Sequence, residues 1–370
     1  MPQKDIYREL QKHLDKLPIG FPATESGVEL RILKFLFTPE EAEIALNMRF
    51  VPEPSKNIYR RVKRKYMSQE ELENKLKDMY QKGAINVKYI KSDSNEEKWY
   101  HLAFLAVGMY EYQVKNITPE FYNDIEIYLK EAYIDEYIST KISQLRTIPV
   151  EMSIEPENRI ATYDVLKELI EKAEKVAVMD CICQKGKELI GKPCKQTDFR
   201  EHCFTFNSSA QHIVNIKNGR FISKEEAFNL MKKAQEEGLV LQPGNSISPN
   251  FICCCCGDCC DHLTNLKKLE RPWELIVSNF FAQIDEDLCV GCETCINRCQ
   301  MNAISMEDNV ANIKSNLCIG CGNCVVVCTE GAISLIKKET ENVPPKTTEE
   351  LYLKIMNEKA KLRRVEKGNF

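Results

Sequence analysis

The order of apolar, polar and capping residues in the first part of the chain predicts two well-defined helices. Thr38 to Glu41 supplies a hydroxyl cap, a first-turn proline and a reciprocal glutamate, which predicts a helix from Pro39 to about Met48. Ser68 to Glu71 repeats the capping signal, and the apolar residues that follow recur with helical spacing. This second helix should end at Gly83, since glycine is the usual residue just after a helix.

Two strands should follow this helix, at 85–90 and 98–104, separated by a polar turn. Helices followed by a hairpin indicate a winged-helix-like domain, which we assign to residues 1–150. A dense basic run precedes the second helix, at Arg60, Arg61, Lys63, Arg64 and Lys65. The next helix mixes acidic and basic residues, so we expect this surface to dock a protein or face solvent, and nucleic acid is an unlikely partner.

A second pattern, with helices and short strands in alternation, indicates an α/β domain at 151–280. A helix from near Thr162 carries an apolar stripe and leads into the strand Val176 to Met179. Another capping box at Ser223 to Glu226 begins a helix that should end at Gly238, before a short strand at 239–241.

The cysteine content changes this picture. The chain of 370 residues has 18 cysteines, which crowd into three groups and are absent before residue 181. Such clustering is typical of metal ligation and not of a disulfide scaffold. The net charge of −4 gives no general attraction to nucleic acid or to anionic membranes. The start of the chain lacks a signal-peptide pattern, and no stretch is apolar enough for a membrane span, so we expect a cytoplasmic protein of an anaerobic or strongly reducing cell.

The segment from about 281 to 340 contains the spacing C-x2-C-x2-C-x3-C twice. Three closely spaced thiolates hold one iron–sulfur cube, and the fourth cysteine points across to the other cube. We therefore predict two crossed ligand sets. The first set is Cys289, Cys292, Cys295 and Cys328, and the second is Cys318, Cys321, Cys324 and Cys299. Gly291, Gly320 and Gly322 should let the backbone pass close to the cubes.

On these two cysteine runs the segment resembles bacterial ferredoxins with two 4Fe-4S clusters. The resemblance implies a ferredoxin fold over about 50 residues. One departure is that the proline usual after the fourth cysteine is Gln300 in one half and Thr329 in the other. A pair of four-cysteine zinc knots is the competing structural interpretation. A charged helical tail should follow the Pro344-Pro345 break, at 341–370.

The remaining ten cysteines predict one or two further iron–sulfur centres in the central domain. Neighbouring side chains in an extended segment point in different directions, so the box from Cys253 to Cys260 cannot serve one centre alone. The candidate ligands are Cys181, Cys183, Cys194, Cys203, Cys253, Cys255, Cys256, Cys259 and Cys260. Two alternatives stay open at this point. Several of these residues are buried without a metal, or Cys181, Cys183, Cys194 and Cys203 bind zinc.

Much of the chain also resembles a group of uncharacterised ferredoxin-domain iron–sulfur proteins from anaerobic bacteria and archaea. The features that carry this resemblance are the segments 20–24 and 28–30, the Cys181-x-Cys183 pair, the helix ending at 238–240 and the box that begins at Ile252-Cys253. The resemblance implies a redox partner or subunit and assigns no reaction.

Several weaker signals are set aside. The segment from Gly186 to Lys192 resembles a phosphate-binding loop but has proline where a hydroxyl should bind magnesium, so we expect a glycine-rich loop that brings Cys183 and Cys194 together. His202 and His262 are interpreted as structural. Asp258 is interpreted as a turn residue and not as a ligand.

Together these patterns indicate an α+β, multidomain electron-transfer protein or redox subunit with two 4Fe-4S clusters, whose partners are redox proteins. Whether the chain is an enzyme is left open. The alternatives are a reductive enzyme whose substrate meets an open iron in the central domain, and a redox-sensing winged-helix regulator. The sequence sets neither the oligomeric state nor the electron donor and acceptor.

Overall fold

The computed structural model of the protein describes residues 5–62, 67–91, 96–154 and 164–368. The chain is about 44% helix and 18% strand, which agrees with the predicted α+β class. It divides into two compact units, each built from segments that lie far apart in the sequence. The first comprises 1–140, 211–220 and 355–370, and the second comprises 141–210 and 221–354. The predicted division into four domains stays a prediction.

The first 140 residues form a helical region with one small sheet. Its α-helices are α1 (Ile6–Leu14), α2 (Val28–Leu36), α3 (Pro39–Ala45), α4 (Ser55–Arg61), α5 (Gln69–Gln81), α6 (Pro119–Tyr128) and α7 (Ile134–Ile138). Its strands are β1 (Glu53–Pro54), β2 (Ile85–Lys91) and β3 (Glu96–Leu102). They form an antiparallel sheet in the order β1-β3-β2.

The capping boxes predicted at Thr38 and Ser68 are confirmed. In each, the hydroxyl accepts a hydrogen bond from the backbone N–H of the glutamate three residues later, and the carboxylate of that glutamate accepts one from the backbone N–H of the capping residue. Helix α3 ends at Ala45, earlier than the predicted Met48. The N–H groups of Asn47 and Met48 bond three residues back, to the carbonyls of Ile44 and Ala45, so the last turn has tightened and the α-helix has stopped. Lys63, Arg64 and Lys65 of the basic run lie outside the described residues.

From residue 166 onward the helices are α8 (Leu166–Lys172), α9 (Ile182–Leu189), α10 (Asn207–Asn215), α11 (Lys224–Glu236), α12 (Asp261–Leu266), α13 (Thr294–Arg298), α14 (Asn323–Val326) and α15 (Thr348–Gly368). The strands are β4 (Val176–Met179), β5 (Cys203–Phe206), β6 (Gly219–Ile222), β7 (Val240–Pro243), β8 (Phe251–Cys255), β9 (Phe280–Ile284), β10 (Ile304–Glu307), β11 (Val310–Ile313) and β12 (Ile333–Lys337). In the described part of the chain, no helix has both the length and the apolar character that crossing a membrane requires.

A five-stranded sheet in the order β6-β4-β5-β8-β7 organises the second unit. One face packs on α8 and α11, with Ile170, Met231 and Ile252 in its core. The other face packs toward the ferredoxin segment, where Val240, Leu263 and Ile319 share a second core. The cysteine-bearing strand β8 therefore contributes side chains to both cores.

The ferredoxin segment consists of two short hairpin-like pairs and two short helices. Strand β9 pairs with β12, and β10 pairs with β11, both antiparallel. Helices α13 and α14 pack against each other. This places the two halves of the cysteine repeat around one shared apolar core.

Several local expectations for the central region can be compared with this structure. The strand Val176–Met179 is confirmed, and the Ser223 hydroxyl accepts from the Glu226 N–H at the start of α11 as predicted. Thr162 lies outside the described residues. The glycine-rich loop expected from Gly186 is wrong, because this residue lies on the buried face of α9, where an isolated glycine is tolerated.

The C-terminal charged stretch forms the long helix α15, but it is more than a surface helix. Within the first unit Ile355 is fully buried, and the ammonium of the buried Lys359 pairs with the carboxylate of Glu136. A buried apolar position and an ion pair on one side give the helix a packed face that its charged composition concealed.

Candidate metal centres

The eight ferredoxin cysteines line two separate cavities. Cavity one is lined by Cys289, Cys292, Cys295 and Cys328. Cavity two is lined by Cys299, Cys318, Cys321 and Cys324. These groupings are the two crossed sets expected from the spacing, and each places four thiols around a space of its own.

The glycines of the repeat bring the backbone tightly around these cavities. Gly291 and Gly320 have φ angles of 69° and 65°, in the left-handed region that favours glycine. A Cβ at Gly320 would lie 2.1 Å from the carbonyl oxygen of Phe280, so no larger residue fits without moving the chain. The tight path lets successive cysteines face one cavity.

Backbone N–H groups also point at the cavity sulfurs. The N–H of Ala303 donates to Cys299 Sγ at 3.2 Å, that of Ala282 to Cys318 Sγ at 3.4 Å, and that of Ala311 to Cys289 Sγ at 3.5 Å. Hydrogen bonds to the sulfurs are one of the means by which a protein sets the potential of an iron–sulfur cluster. The two cavities therefore already contain donors suited to thiolate ligands.

The residue that departs from the ferredoxin pattern makes a contact outside the module. Gln300 is buried, and its Oε1 accepts a hydrogen bond of 2.6 Å from the backbone N–H of Gly257 in the cysteine box. Thr329, at the matching position of the other half, is exposed. Only the first departure therefore links the ferredoxin segment to the central cysteines.

Six of the central cysteines form a connected set, which we call the six-thiol group. It consists of Cys181, Cys183, Cys203, Cys253, Cys255 and Cys260. Side-chain hydrogen bonds join Cys183 to Cys181 and Cys260, and join Cys253 to Cys203 and Cys255. Bonds from these neighbours lower the pKa of the buried Cys253 and Cys260 thiols well below the usual range. The same kind of bond raises the pKa of Cys183 and Cys255, and the bond between Cys255 and Cys260 connects the two halves of the group.

Strand alternation explains which members of the box join this group. Successive side chains of a strand point to opposite faces, so Cys253 and Cys255 share one face of β8. Cys254 points to the other face, where it is fully buried beside Ile252 in the apolar core. Its pKa is raised by burial. Cys254, omitted from the predicted ligands, thus lies among apolar side chains.

A second set, which we call the Asp258 group, consists of Cys194, Cys256, Asp258 and Cys259. The four ligand atoms all lie within 4.8 Å of one another. Cys194 Sγ is 3.7 Å from Cys256 Sγ and 3.4 Å from Asp258 Oδ1, and the sulfurs of Cys256 and Cys259 are 2.6 Å apart. Hydrogen bonds with Cys256 and then Cys259 lower the pKa of the Cys194 thiol.

This arrangement bears on two interpretations of the sequence. The alternative zinc set placed Cys194 with Cys181, Cys183 and Cys203, but Cys194 belongs to the Asp258 group and the other three to the six-thiol group. Asp258 lies in a turn, as the sequence indicated, and its carboxylate also lies within 4.8 Å of three thiols. The only sequence signal for this was its position inside the Cys256-x-x-Cys259 spacing.

The central cysteines and the ferredoxin segment are packed together within the second unit. Arg298 donates to the carbonyls of Gln235 and Glu236 at the end of α11, and Asn323 donates to the carbonyl of Gly238. Cys253, Cys255 and Cys260 lie in the same apolar core as Cys299, Cys318 and Cys321. The six-thiol group and cavity two therefore face each other across one core.

His202 lies beside central cysteines, and Lys267 lies beside Cys299 of cavity two. Burial lowers the pKa of His202, whose Nε2 is 3.0 Å from Gln184 Oε1. The ammonium of Lys267 donates to the carbonyl of Gly257, and burial lowers its pKa although the nearby Cys299 thiol acts to raise it. Both side chains are held by polar partners next to the sulfurs.

Comparison with known proteins supports part of this description. Residues 282–335 match the 4Fe-4S dicluster domain family. The matched segment contains all eight cysteines of the two cavities, which supports iron–sulfur cluster binding by a ferredoxin-like module. No curated protein and no solved structure matches the chain. The wider resemblance to uncharacterised proteins of anaerobes gains no support.

Proposed function

We propose that this protein transfers electrons through three consecutive sites: cavity one, cavity two and the six-thiol group. In this proposal each cavity holds one 4Fe-4S cluster, ligated by the four cysteines that line it, and the six-thiol group holds a further iron–sulfur centre. The chain is then an electron carrier or a subunit of an oxidoreductase that works in the cytoplasm with redox proteins as partners. The dicluster match supports the ferredoxin part.

The observation that carries the proposal is the position of Cys299 and Cys318. Both line cavity two, both pack in the core shared with cavity one, and both pack in the core shared with the six-thiol group. A centre at cavity two would therefore lie between the other two sites. At least three thiols of each site pack in these two apolar cores, whose side chains limit the access of water to a cluster.

Cavity one provides the outer end of this path. Cys292 is exposed, whereas Cys295 and Cys324 are buried. The apolar side chains of Leu288 and Val290, beside Cys292, are 49% and 66% exposed. We infer that a redox partner exchanges electrons here, because a cluster near the surface shortens the distance to a docked protein.

Rigid packing of the module supports electron transfer inside the chain. A tethered ferredoxin would have to find its partner site by diffusion, whereas Arg298, Asn323 and Gln300 fasten this one to the central region. Each of these bonds involves a backbone group of α11, the following turn or the cysteine box. The separation between cavity two and the six-thiol group is therefore fixed by direct contacts.

Residues 1–150 are proposed to be winged-helix-like and to dock a protein. Helices α3, α4 and α5 precede the antiparallel pair of β2 and β3, which supports that fold. Arg61 of the basic run pairs with Glu53 and also donates to the carbonyl of Asn47. A guanidinium held in this way is less available to a phosphate, which favours a protein partner over nucleic acid.

Adjacent cysteines of the box provide a matched test of the third site. Cys253→Ala removes a member of the six-thiol group, whereas Cys254→Ala removes a thiol from the apolar core one residue away. Full-length protein, loaded and purified anaerobically, is assayed for iron and acid-labile sulfide, and the reduced protein is examined by electron paramagnetic resonance.

We expect Cys253→Ala to lower iron and sulfide below wild type and to remove one signal, while Cys254→Ala keeps both contents. Equal contents in the two variants and the wild type would exclude a cluster at the six-thiol group. Wild-type contents no higher than two clusters require would exclude it as well.

A further inference from the structure

The Asp258 group differs in size from the other cysteine sites. Cys194, Cys256, Asp258 and Cys259 have ligand atoms within 4.8 Å of one another, and in the described residues no other set of three or more His, Cys, Asp or Glu ligands is this close. The ferredoxin thiols instead line two cavities, and neither set of four has its sulfur atoms this close together. The chain thus contains widely spaced and closely spaced sets of candidate metal ligands.

The compact spacing corresponds to one metal ion. Four ligands at about 2.3 Å from a zinc ion are about 3.8 Å apart, close to the observed 3.7 Å and 3.4 Å from Cys194 to Cys256 and Asp258. The Cys256 and Cys259 sulfurs, 2.6 Å apart, would separate by about 1.2 Å around the ion. A 4Fe-4S cube instead binds each thiolate to a different iron, so its inorganic core holds the ligands apart.

The carboxylate of Asp258 is aimed at this position by the backbone. Its Oδ2 accepts a hydrogen bond of 2.7 Å from the N–H of Lys195, which leaves Oδ1 toward Cys194. Hydrogen bonds of this kind orient carboxylates that ligate metals. Asp258 is exposed while Cys256 and Cys259 are buried, so the oxygen ligand is the one on the solvent side.

An open cavity reaches the Asp258 group at Cys194. Cys194 lines it, together with side chains of both charges, Lys195, Lys233, Asp198 and Glu237. A cavity with both charges suits a zwitterionic molecule. Zinc in a catalytic site keeps one position for a water or a substrate, whereas structural zinc has four fixed protein ligands.

We propose that the Asp258 group binds a single zinc ion with three thiolates and one carboxylate, and that a small zwitterionic thiol entering from the open cavity replaces the carboxylate. The zinc–oxygen bond to Asp258 then breaks, a zinc–sulfur bond forms, and the thiol proton is released to water. The three cysteines then hold the ion while the fourth position exchanges. The group lies mainly with the core on the α8 and α11 face of the sheet, so this site stands apart from the proposed electron path.

X-ray absorption at the zinc edge tests the proposal, because it reports the ligand atoms around zinc and contains no contribution from the atoms around iron. Full-length protein is loaded anaerobically with iron, sulfide and zinc and measured alone, with L-cysteine and with L-serine. We expect about one zinc per chain with three sulfur and one oxygen neighbours, and a fourth sulfur with L-cysteine but not with L-serine. The Asp258→Cys variant should show four sulfurs throughout and no response to L-cysteine.

Three results would overturn the proposal: wild-type protein without zinc, four sulfur neighbours before any thiol is added, or no change with L-cysteine. Iron content is measured on the same samples. If the Asp258→Cys variant keeps the wild-type iron content, the zinc site is separate from the clusters. The zinc proposal can then fail without affecting the electron-transfer proposal, which the Cys253→Ala experiment tests. The Asp258 group would belong to a cluster if the wild type bound iron there instead of zinc, and if the Cys194→Ala variant lost that iron.

Discussion

Replacing Gly257 by alanine should push the cysteine box away from the ferredoxin module. A Cβ at this position would lie 2.1 Å from the carbonyl oxygen of Gln300 and 2.6 Å from the ammonium of Lys267. The lysine can swing away, but the carbonyl belongs to the backbone next to Cys299. It would have to move by about 1.3 Å to regain an ordinary 3.4 Å contact.

Two terms set the expected loss of stability. Overpacking a tight contact costs about 1 to 3 kcal/mol. The same shift breaks the bond from the Gly257 N–H to Gln300 Oε1, and a buried polar group left without a partner costs about 1 to 3 kcal/mol. We therefore expect Gly257→Ala to lower the free energy of unfolding by about 2 to 6 kcal/mol.

Anaerobic urea titration of the loaded protein measures this loss, with far-ultraviolet circular dichroism for the fold and visible absorbance for the clusters. Gly244→Ala is the matched control, because the nearest atom to its new Cβ is a ring carbon of Phe251 at 3.3 Å. We expect that variant to stay within about 1 kcal/mol of wild type. If Gly257→Ala behaved like the control in both signals, the contact with Gln300 would not hold the module in place.

Three further predictions concern other parts of the chain. Cys295→Ala should lose about four irons per chain and keep the second ferredoxin signal, which iron assay and electron paramagnetic resonance measure; unchanged iron would contradict the ligand sets. Burial lowers the pKa of His212 to about 3, so stability present above the unfolded pKa of 6.5 is lost as pH falls, by about 2 kcal/mol at pH 5. His212→Phe should flatten that loss in urea titrations at pH 5 and 7, and an unchanged slope would exclude it as the cause. Asp164→Asn leaves the buried Arg146 without its charge partner and should cost about 3 to 5 kcal/mol by calorimetry; a cost below 1 kcal/mol would contradict this.

Local signals in the sequence were sufficient for the parts of the structure that depend on near neighbours. The capping boxes at Thr38 and Ser68 concern residues three apart, so they could be recognised without knowing the fold. The same is true of the two cavities, because each draws three of its four cysteines from one short run. The crossed fourth ligand followed from the known geometry of the repeat.

Contacts between distant residues could not be predicted in this way. Cys194 lies 62 positions before Cys256, and only the folded chain shows that it joins Cys256 and not Cys183. The glycine at 186 indicated a loop, but the residue lies in helix α9, which is stabilised by burial of one of its faces. Gln300 was recognised as a departure from the ferredoxin pattern, but its contact with Gly257 depends on how the module docks.

Because four cysteines follow one another in and just after β8, the thiols alone do not define the register in which β8 pairs with its neighbouring strands. If β8 slipped by one residue, Cys254 and Cys256 would occupy the positions of Cys253 and Cys255, and two thiols would still face the same side. The register must then be set by residues that differ between the two faces, and Ile252, fully buried in the apolar core, is the one next to the run. With a valine in place of Cys254, only the observed alignment would place two thiols on the face that Cys253 and Cys255 share.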